Sequence, residues 1–260
     1  ISPLISKKTL LARTELMQAN GQNISNIKIE LQIRFNTINK AELVYKLSFK
    51  KTFNNSRPPA KPVLLINANT GQLIKQWNNV KYFSDQGPGG NLKTNEYWYG
   101  LDGLPSLNVT KNKDLCTMTN NNVKLVNLIY KWDYGDFFMN AYSYPCQQNI
   151  EDNVNGAFSP INDAFYFGSV IIDMYKDWYN LNALQYPDGQ NMQLVMRVHF
   201  GESYENAFWD GDVMSFGDGS DDFYPLVSLD VAGHEVSHGF TEQHSDLEYH
   251  DQSGAINESF

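Results

Sequence analysis

The chain reads as an α+β fold, and three features of its pattern carry that reading. An apolar spacing of three to four residues at the start gives way to strict alternation. Short strand-like segments then continue until residues 162–179 return to helical spacing. A second helical pattern closes the chain around His234. Helices and strands are thus segregated in blocks rather than alternating one for one, which favours antiparallel sheets with helices packed on them.

Taken in order, Leu4, Leu10, Leu11, Leu16 and Met17 place an amphipathic helix in residues 1–20, ended by Gly21. Ile27, Ile29, Leu31, Ile33 and Phe35 alternate with polar residues, as do Leu43, Tyr45, Leu47 and Phe49. Such alternation predicts strands with one buried face. Val63 to Ile66 and Leu73 to Trp77 flank Asn69-Thr70-Gly71, a hairpin turn. Residues 1–83 are therefore expected to form a helix followed by an antiparallel sheet. Residues 84–90, Ser-Asp-Gln-Gly-Pro-Gly-Gly, read as a flexible, exposed linker. Such a segment invites proteolysis, here between about Phe83 and Gly87, and an uncleaved linker is the alternative. Residues 91–260 form a second unit. Its strands and turns run to Cys146, and a helix follows with Ala164, Phe167, Ile171, Tyr175 and Trp178 on one stripe. That stripe reads as core packing. Met192 to Phe200 reads as a strand in which His199 is packed or hydrogen-bonded. A last long helix is expected from near Val227 past His238.

With 260 residues, 42% of them apolar, there is ample material for a core. The formal charge of −9, without a long basic run, argues against nucleic acid and against an anionic membrane surface. No apolar run approaches the roughly eighteen residues of a spanning helix. The chain starts without Met or a signal peptide, so its start reads as processed or trimmed. Cys116 and Cys146 are the only cysteines and lack C-x-x-C spacing. A disulfide is preferred over two buried thiols, which implies an extracytoplasmic home and a secreted protein. A monomer is expected.

His234-Glu235-Val236-Ser237-His238 carries the chemistry. Two histidines four apart lie on one helix face and can share a tetrahedral zinc. Glu235 stands about 100° from His234 around the helix, beside the metal rather than under it. That suits a general base acting on water at the metal. Glu258 follows His238 by twenty residues, enough to return on a second helix as third ligand. Two His and one Glu leave a fourth position open, the mark of a catalytic site.

These residues, with Asp230 to Gln243, Gln252-Ser253-Gly254 and Asn257, resemble the thermolysin-type metallopeptidases. The pseudolysin and vibriolysin branch is the nearer likeness. Gly87 to Asn91, Glu205 to Gly211 and Phe223 to Asp230 resemble further stretches of that branch. The resemblance implies a zinc endopeptidase, made with a propeptide of which residues 1–83 are the end. It makes Tyr249 an oxyanion donor, Asn206 and Ala207 the substrate's strand partners, and Phe223, Leu226 and Val231 a wall of an apolar pocket. Cleavage before large apolar residues follows from that wall. Asn257 is either a partner of a zinc histidine or a helix-stabilising polar residue. Asp230 becomes a ligand of structural calcium, whereas Asp210, Asp212, Asp218, Asp221 and Asp222 read as a solvated acidic loop. His244, Asp246 and His250 stand where relatives carry Asn, Gly and a variable residue. By the resemblance a helical second domain should follow Phe260, bearing an oxyanion-binding histidine and most calcium ligands. A chain lacking it is expected to be nearly inactive alone. The rival readings are an inactive zinc-binding or inhibitory module, and a zinc hydrolase of small molecules. Asn206 and Ala207 argue against the latter, because they suit an extended polypeptide.

Overall fold

The fold is taken from a computed structural model, which describes residues 3–15, 22–35, 39–53, 60–101, 103–132, 140–146, 149 and 152–259. Helix α1 (Lys7–Glu15) precedes strands β1 (Gln22–Phe35), β2 (Ala41–Phe53), β3 (Pro62–Asn67) and β4 (Leu73–Asn78). Seven short strands follow: β5 (Phe83–Asp85), β6 (Gly87–Asn91), β7 (Asn95–Tyr99), β8 (Leu107–Asn112), β9 (Leu115–Thr117), β10 (Val123–Lys131) and β11 (Ser143–Pro145). Then come α2 (Pro160–Tyr179), β12 (Leu194–Phe200), β13 (Ala207–Trp209), β14 (Met214–Phe216), α3 (Leu229–His244) and α4 (Asp251–Asn257). The architecture is α+β, and the chain divides into two compact units, Ile1–Lys81 and Tyr82–Phe260.

In the first unit β1-β2-β3-β4 form one antiparallel sheet. Tyr45, Leu47 and Phe49 on β2 are buried with Leu10 of α1, and Ile24, Ile66 and Ala68 complete that core. The hairpin stands as the sequence predicts: Asn67 Oδ1 accepts the Asn69 and Thr70 N–H groups, and Gly71 supplies the positive φ. Two expectations change. The helix is described only over Lys7–Glu15, and Leu16, Met17 and Gly21 lie outside the described residues. The alternation of β1 does not bury one whole face, since Ile33 and Phe35 are about 70% exposed. A nine-residue helix is about 14 Å long, and a fourteen-residue strand about 46 Å. The described helix is too short to cover it.

In the second unit a mixed sheet runs β10-β12-β14-β13, parallel except for the antiparallel edge strand β13. A separate antiparallel sheet runs β11-β9-β8-β5, and β6-β7 is a hairpin. Helix α2 packs on β10 and β12, and α3 packs on α2 and β13. All seven residues of β12 are buried, as for a central strand covered on both faces. Ser159 caps α2 by accepting the Asn162 N–H, Pro160 occupies its first turn, and Asn180 ends it in the left-handed conformation. Ala164, Ile171 and Tyr175 of the predicted stripe are core residues, but Trp178 in the last turn is 72% exposed. Cys116 and Cys146 form a disulfide between the neighbouring strand regions β9 and β11.

The linker expectation for residues 84–90 fails. Phe83–Asp85 pair with β8, Gly87–Asn91 pair with β7, and Asp85 and residues 87–90 are buried. The glycines are there for close approach rather than for flexibility. A Cβ on Gly87 would lie 2.3 Å from the Asn149 amide, and one on Gly89 2.3 Å from Asp163 Oδ1. Buried Asp163 accepts from the Gly90 N–H and from the Tyr97 and Tyr99 hydroxyls, tying this hairpin to α2. Burial raises its carboxyl to about 6. The boundary between the units falls earlier, at Lys81/Tyr82.

Candidate active site

Helix α3 presents His234 and His238 one turn apart, their rings 4.6 Å apart between centroids. Ser237 and Gly239 let this helix lie close to its neighbours. The Ser237 hydroxyl meets that of Tyr175 on α2, and a Cβ on Gly239 would lie 2.8 Å from Leu184 and from Trp209. The chain then turns through residues 245–250 into α4, whose C-cap is Glu258. The Glu258 N–H donates to the Gly254 carbonyl at 3.0 Å, so this residue is fixed by the helix end.

Both histidine Nε2 atoms converge on Glu258 Oε2, at 3.2 Å from His234 and 3.9 Å from His238. All three ligating atoms lie within 4.8 Å of one another. Zinc with bonds of 2.0–2.2 Å in a tetrahedron separates its ligand atoms by roughly 3.3 Å. The donor set and spacing therefore fit zinc. Asn257, buried on α4, faces His238 Nδ1 with its Oδ1 at 2.9 Å. An Nδ1–H donated to that oxygen leaves the Nε2 lone pair for a metal. Asn257 is thus the hydrogen-bond partner of His238, and if His238 holds zinc, Asn257→Ala is expected to weaken zinc binding by about 10–100-fold. Competition with a colorimetric chelator measures this, and unchanged affinity would leave Asn257 a purely structural residue.

Glu235 is not one of the converging ligands. Its Oε2 accepts the Trp209 backbone N–H at 3.2 Å. Burial raises its carboxyl above the ordinary glutamate range, while the charge of a protonated His238 or His234 would pull the other way. Strand β13, from which that N–H comes, is the sheet edge, and its parity can be read from its bonds. The carbonyl of Asn206 accepts from Gly217, and the Asp210 N–H donates to Val213. The even-numbered residues thus face β14, and Ala207 and Trp209 turn their backbone groups outward. An extended peptide could add there as a further strand.

A cleft of about 530 Å³ joins these parts. His234, Glu235, His238 and Glu258 line it with Asn206, Ala207, Tyr249 and Asn257. Tyr249 is 63% exposed, with its ring 5.8 Å from that of His238. Phe208, Trp209, Glu242, Asp246 and Leu247 also line the cleft. Phe208 and Trp209 fall in the stretch likened to a substrate-binding edge strand and Asp246 among the departures from relatives, while sequence reasoning gave Glu242 and Leu247 no role at the site. The ENAFWDG stretch and the i+4 spacing of His238 and Glu242 were the available signals for Trp209 and Glu242.

Phe223, Leu226 and Val231 do not line this cleft. Leu226 and Val231 pack against the main core, and Phe223 is exposed on a turn whose carbonyl Asn155 holds. Asp230 is exposed and stands outside the only three-ligand cluster among the described residues. The Ser228 hydroxyl donates to it at 2.5 Å and holds its carboxyl below the usual range. Nor is the acidic run wholly solvated: Asp210 accepts from buried Arg197, and Asp218 from buried His199. His199 is a hydrogen-bonded core histidine. His244 Nδ1 faces the Phe240 carbonyl, and His250 is exposed beside Glu248.

A family model for the thermolysin metallopeptidase catalytic domain matches residues 92–242, more than half of the chain and both histidines. The chain belongs to the thermolysin metallopeptidase family. This thermolysin-family chain is 46% identical over 243 residues to the hemagglutinin/proteinase of Vibrio cholerae, covering 91% of this chain and 38% of that one. It is 42% identical to the virulence metalloprotease of Vibrio anguillarum, over 100% of this chain and 42% of that one. It is 44% identical to the zinc metalloproteinase of Legionella pneumophila, over 93% of this chain and 48% of that one. The chain thus spans less than half the length of these curated relatives. No helix among its described residues is long and apolar enough to cross a membrane.

Proposed function

We propose that this chain belongs to a secreted zinc endopeptidase made as a proenzyme. The observation that carries the reading is the convergence of His234, His238 and Glu258 beside Glu235 on an open sheet edge. His234 Nε2, His238 Nε2 and a Glu258 oxygen would hold zinc. Bound zinc supplies Lewis acidity to a peptide carbonyl and to water. The outward groups of Ala207 and the Trp209 carbonyl align the substrate backbone, helped by the Asn206 side chain. Glu235 takes a proton from the attacking water and delivers it to the leaving amine. The Tyr249 hydroxyl, at the cleft, donates to the oxyanion.

Cleavage before large apolar residues rests on the family resemblance. The apolar residues that line the cleft itself are Ala207, Phe208, Trp209 and Leu247. Residues 1–81 act as the end of the propeptide. The maturation cut is assigned to residues 79–82, which have no regular structure and expose Asn79 and Lys81. Structural calcium at Asp230 and a monomeric state complete the reading. The test uses the full-length secreted product and a quenched peptide with Leu or Phe after the scissile bond. Cleavage is expected to cease with a zinc chelator and return with zinc. The mature N-terminus should read within residues 79–82, and added calcium should raise the melting temperature unless Asp230 is replaced. No cleavage by zinc-loaded, mature protein would leave the inactive zinc-binding module as the answer.

A further inference from the structure

Charge is very unevenly divided along this chain. Residues 1–81 carry 13 Lys and Arg against 3 Glu, a formal +10, while residues 82–260 carry 7 against 26 Asp and Glu, a formal −19. The unit that holds the triad is therefore strongly anionic. A charge of that size sets up a field that concentrates cations, most of all in a cleft with low-dielectric walls.

The cleft repeats the sign locally, because among the described residues no Lys or Arg lines it. Of its four carboxylates, Glu235 and Glu258 belong to the reacting centre, and Glu242 and Asp246 do not. Glu242 stands one turn beyond His238 on α3. Its Oε2 accepts the Trp209 indole N–H at 3.0 Å, which holds the carboxylate at the end of the edge strand. Asp246 follows the end of α3 at φ +49°, with its N–H donating to the Thr241 carbonyl at 2.9 Å. Glycine closes a helix in this conformation with less strain, so the turn itself does not call for a carboxylate. Asp246 is exposed and lines the cleft.

The geometry points to a peptidase that selects cationic polypeptides, with Glu242 and Asp246 receiving a Lys or Arg side chain to one side of the scissile bond. This rests on the endopeptidase reading above. The long-range field raises the encounter rate, and the carboxylates of Glu242, held by Trp209, and of Asp246 fix where along the peptide the positive charge is favoured.

The test is a set of quenched peptides that differ only by Lys or Gln at each of the three positions on either side of the cleaved bond. They are offered to the full-length, matured, zinc-loaded enzyme. Lys at one or two positions is expected to raise kcat/KM about fivefold at low salt, mostly through KM, and the gain should fade near 0.5 M salt. Asp246→Gly, which relaxes the backbone, and Glu242→Gln should each lower the Lys-to-Gln ratio. Asp246→Lys should turn the preference towards Glu. A ratio of one at every position, or one that neither variant moves, overturns the selectivity while leaving the endopeptidase reading intact. Failure to cleave even the Gln peptides overturns the endopeptidase reading and the selectivity together.

Discussion

Replacing Glu235 by Gln is expected to lower kcat/KM by about 10³-fold while zinc remains bound. General acid–base catalysis contributes typically 10²–10⁴-fold, and 10³ corresponds to about 4 kcal/mol of transition-state stabilisation. The position argues for more than the lower end of that range. Glu235 is half-buried, its Oε2 is aimed by the Trp209 N–H, and burial keeps its carboxyl more basic than an exposed glutamate. Gln has the same size and can still accept the Trp209 N–H, yet it cannot take up a proton. Because Glu235 is absent from the three converging ligand atoms, the metal should stay. Turnover of a quenched peptide and zinc per chain by atomic absorption are the two readouts. Activity within tenfold of the parent would remove Glu235 as base, and loss of zinc would make it a ligand instead.

The parts of this site that sequence reveals are the local ones. A period of 3.6 residues is enough to put His234 and His238 on one face, and α3 needs only its start moved from Val227 to Leu229. Helix α2 is equally legible, since a long apolar stripe is a strong signal, and it begins at Pro160 rather than at residue 162. What sequence does not show is where side chains meet across the fold. Glu242 reaches the Trp209 indole from thirty-three residues away, and no pattern within either segment announces that contact. The run Gly87-Pro88-Gly89-Gly90 illustrates a different failure. Glycine serves both loose linkers and tight packing, and only Asn149, Tyr97 and Asp163 pressing on these residues decide for packing. Phe223, Leu226 and Val231, outside the cleft around the histidines, show a related ambiguity. Apolar residues beside a motif serve a core as readily as a pocket, and here the core takes Leu226 and Val231.

His199→Ala is expected to destabilise the second unit by about 3–5 kcal/mol near pH 6.5, the usual cost of breaking a buried charge cluster. His199 is 2% exposed, its Nδ1 lies 2.9 Å from both Asp218 oxygens, and its Nε2 lies 2.9 Å from Asp152 Oδ2. With a carboxylate at each nitrogen, the ring serves both only as imidazolium. Burial opposes that charge, but the hydrogen bonds and charges of Asp152 and Asp218 outweigh it and lift the pKa to about 9. The raised value fixes the sign. Stability from this group is fully present below the ordinary histidine value near 6.5 and is lost as pH rises through about 9, an effect on the order of 3 kcal/mol. The alanine variant leaves Asp152 and Asp218 without the cation between them and should lack that alkaline decline. The cluster also bears on the active site, because Asn155 donates to the carbonyls of Asp218, Ser220 and Phe223 in the segment that leads into α3. Activity should therefore fall on the alkaline side in step with stability. Denaturant midpoints of parent, His199→Ala and the gentler Asp218→Asn at pH 6.5 and 9.5 test this. Equal alkaline losses in parent and His199→Ala would mean that some other group governs stability there.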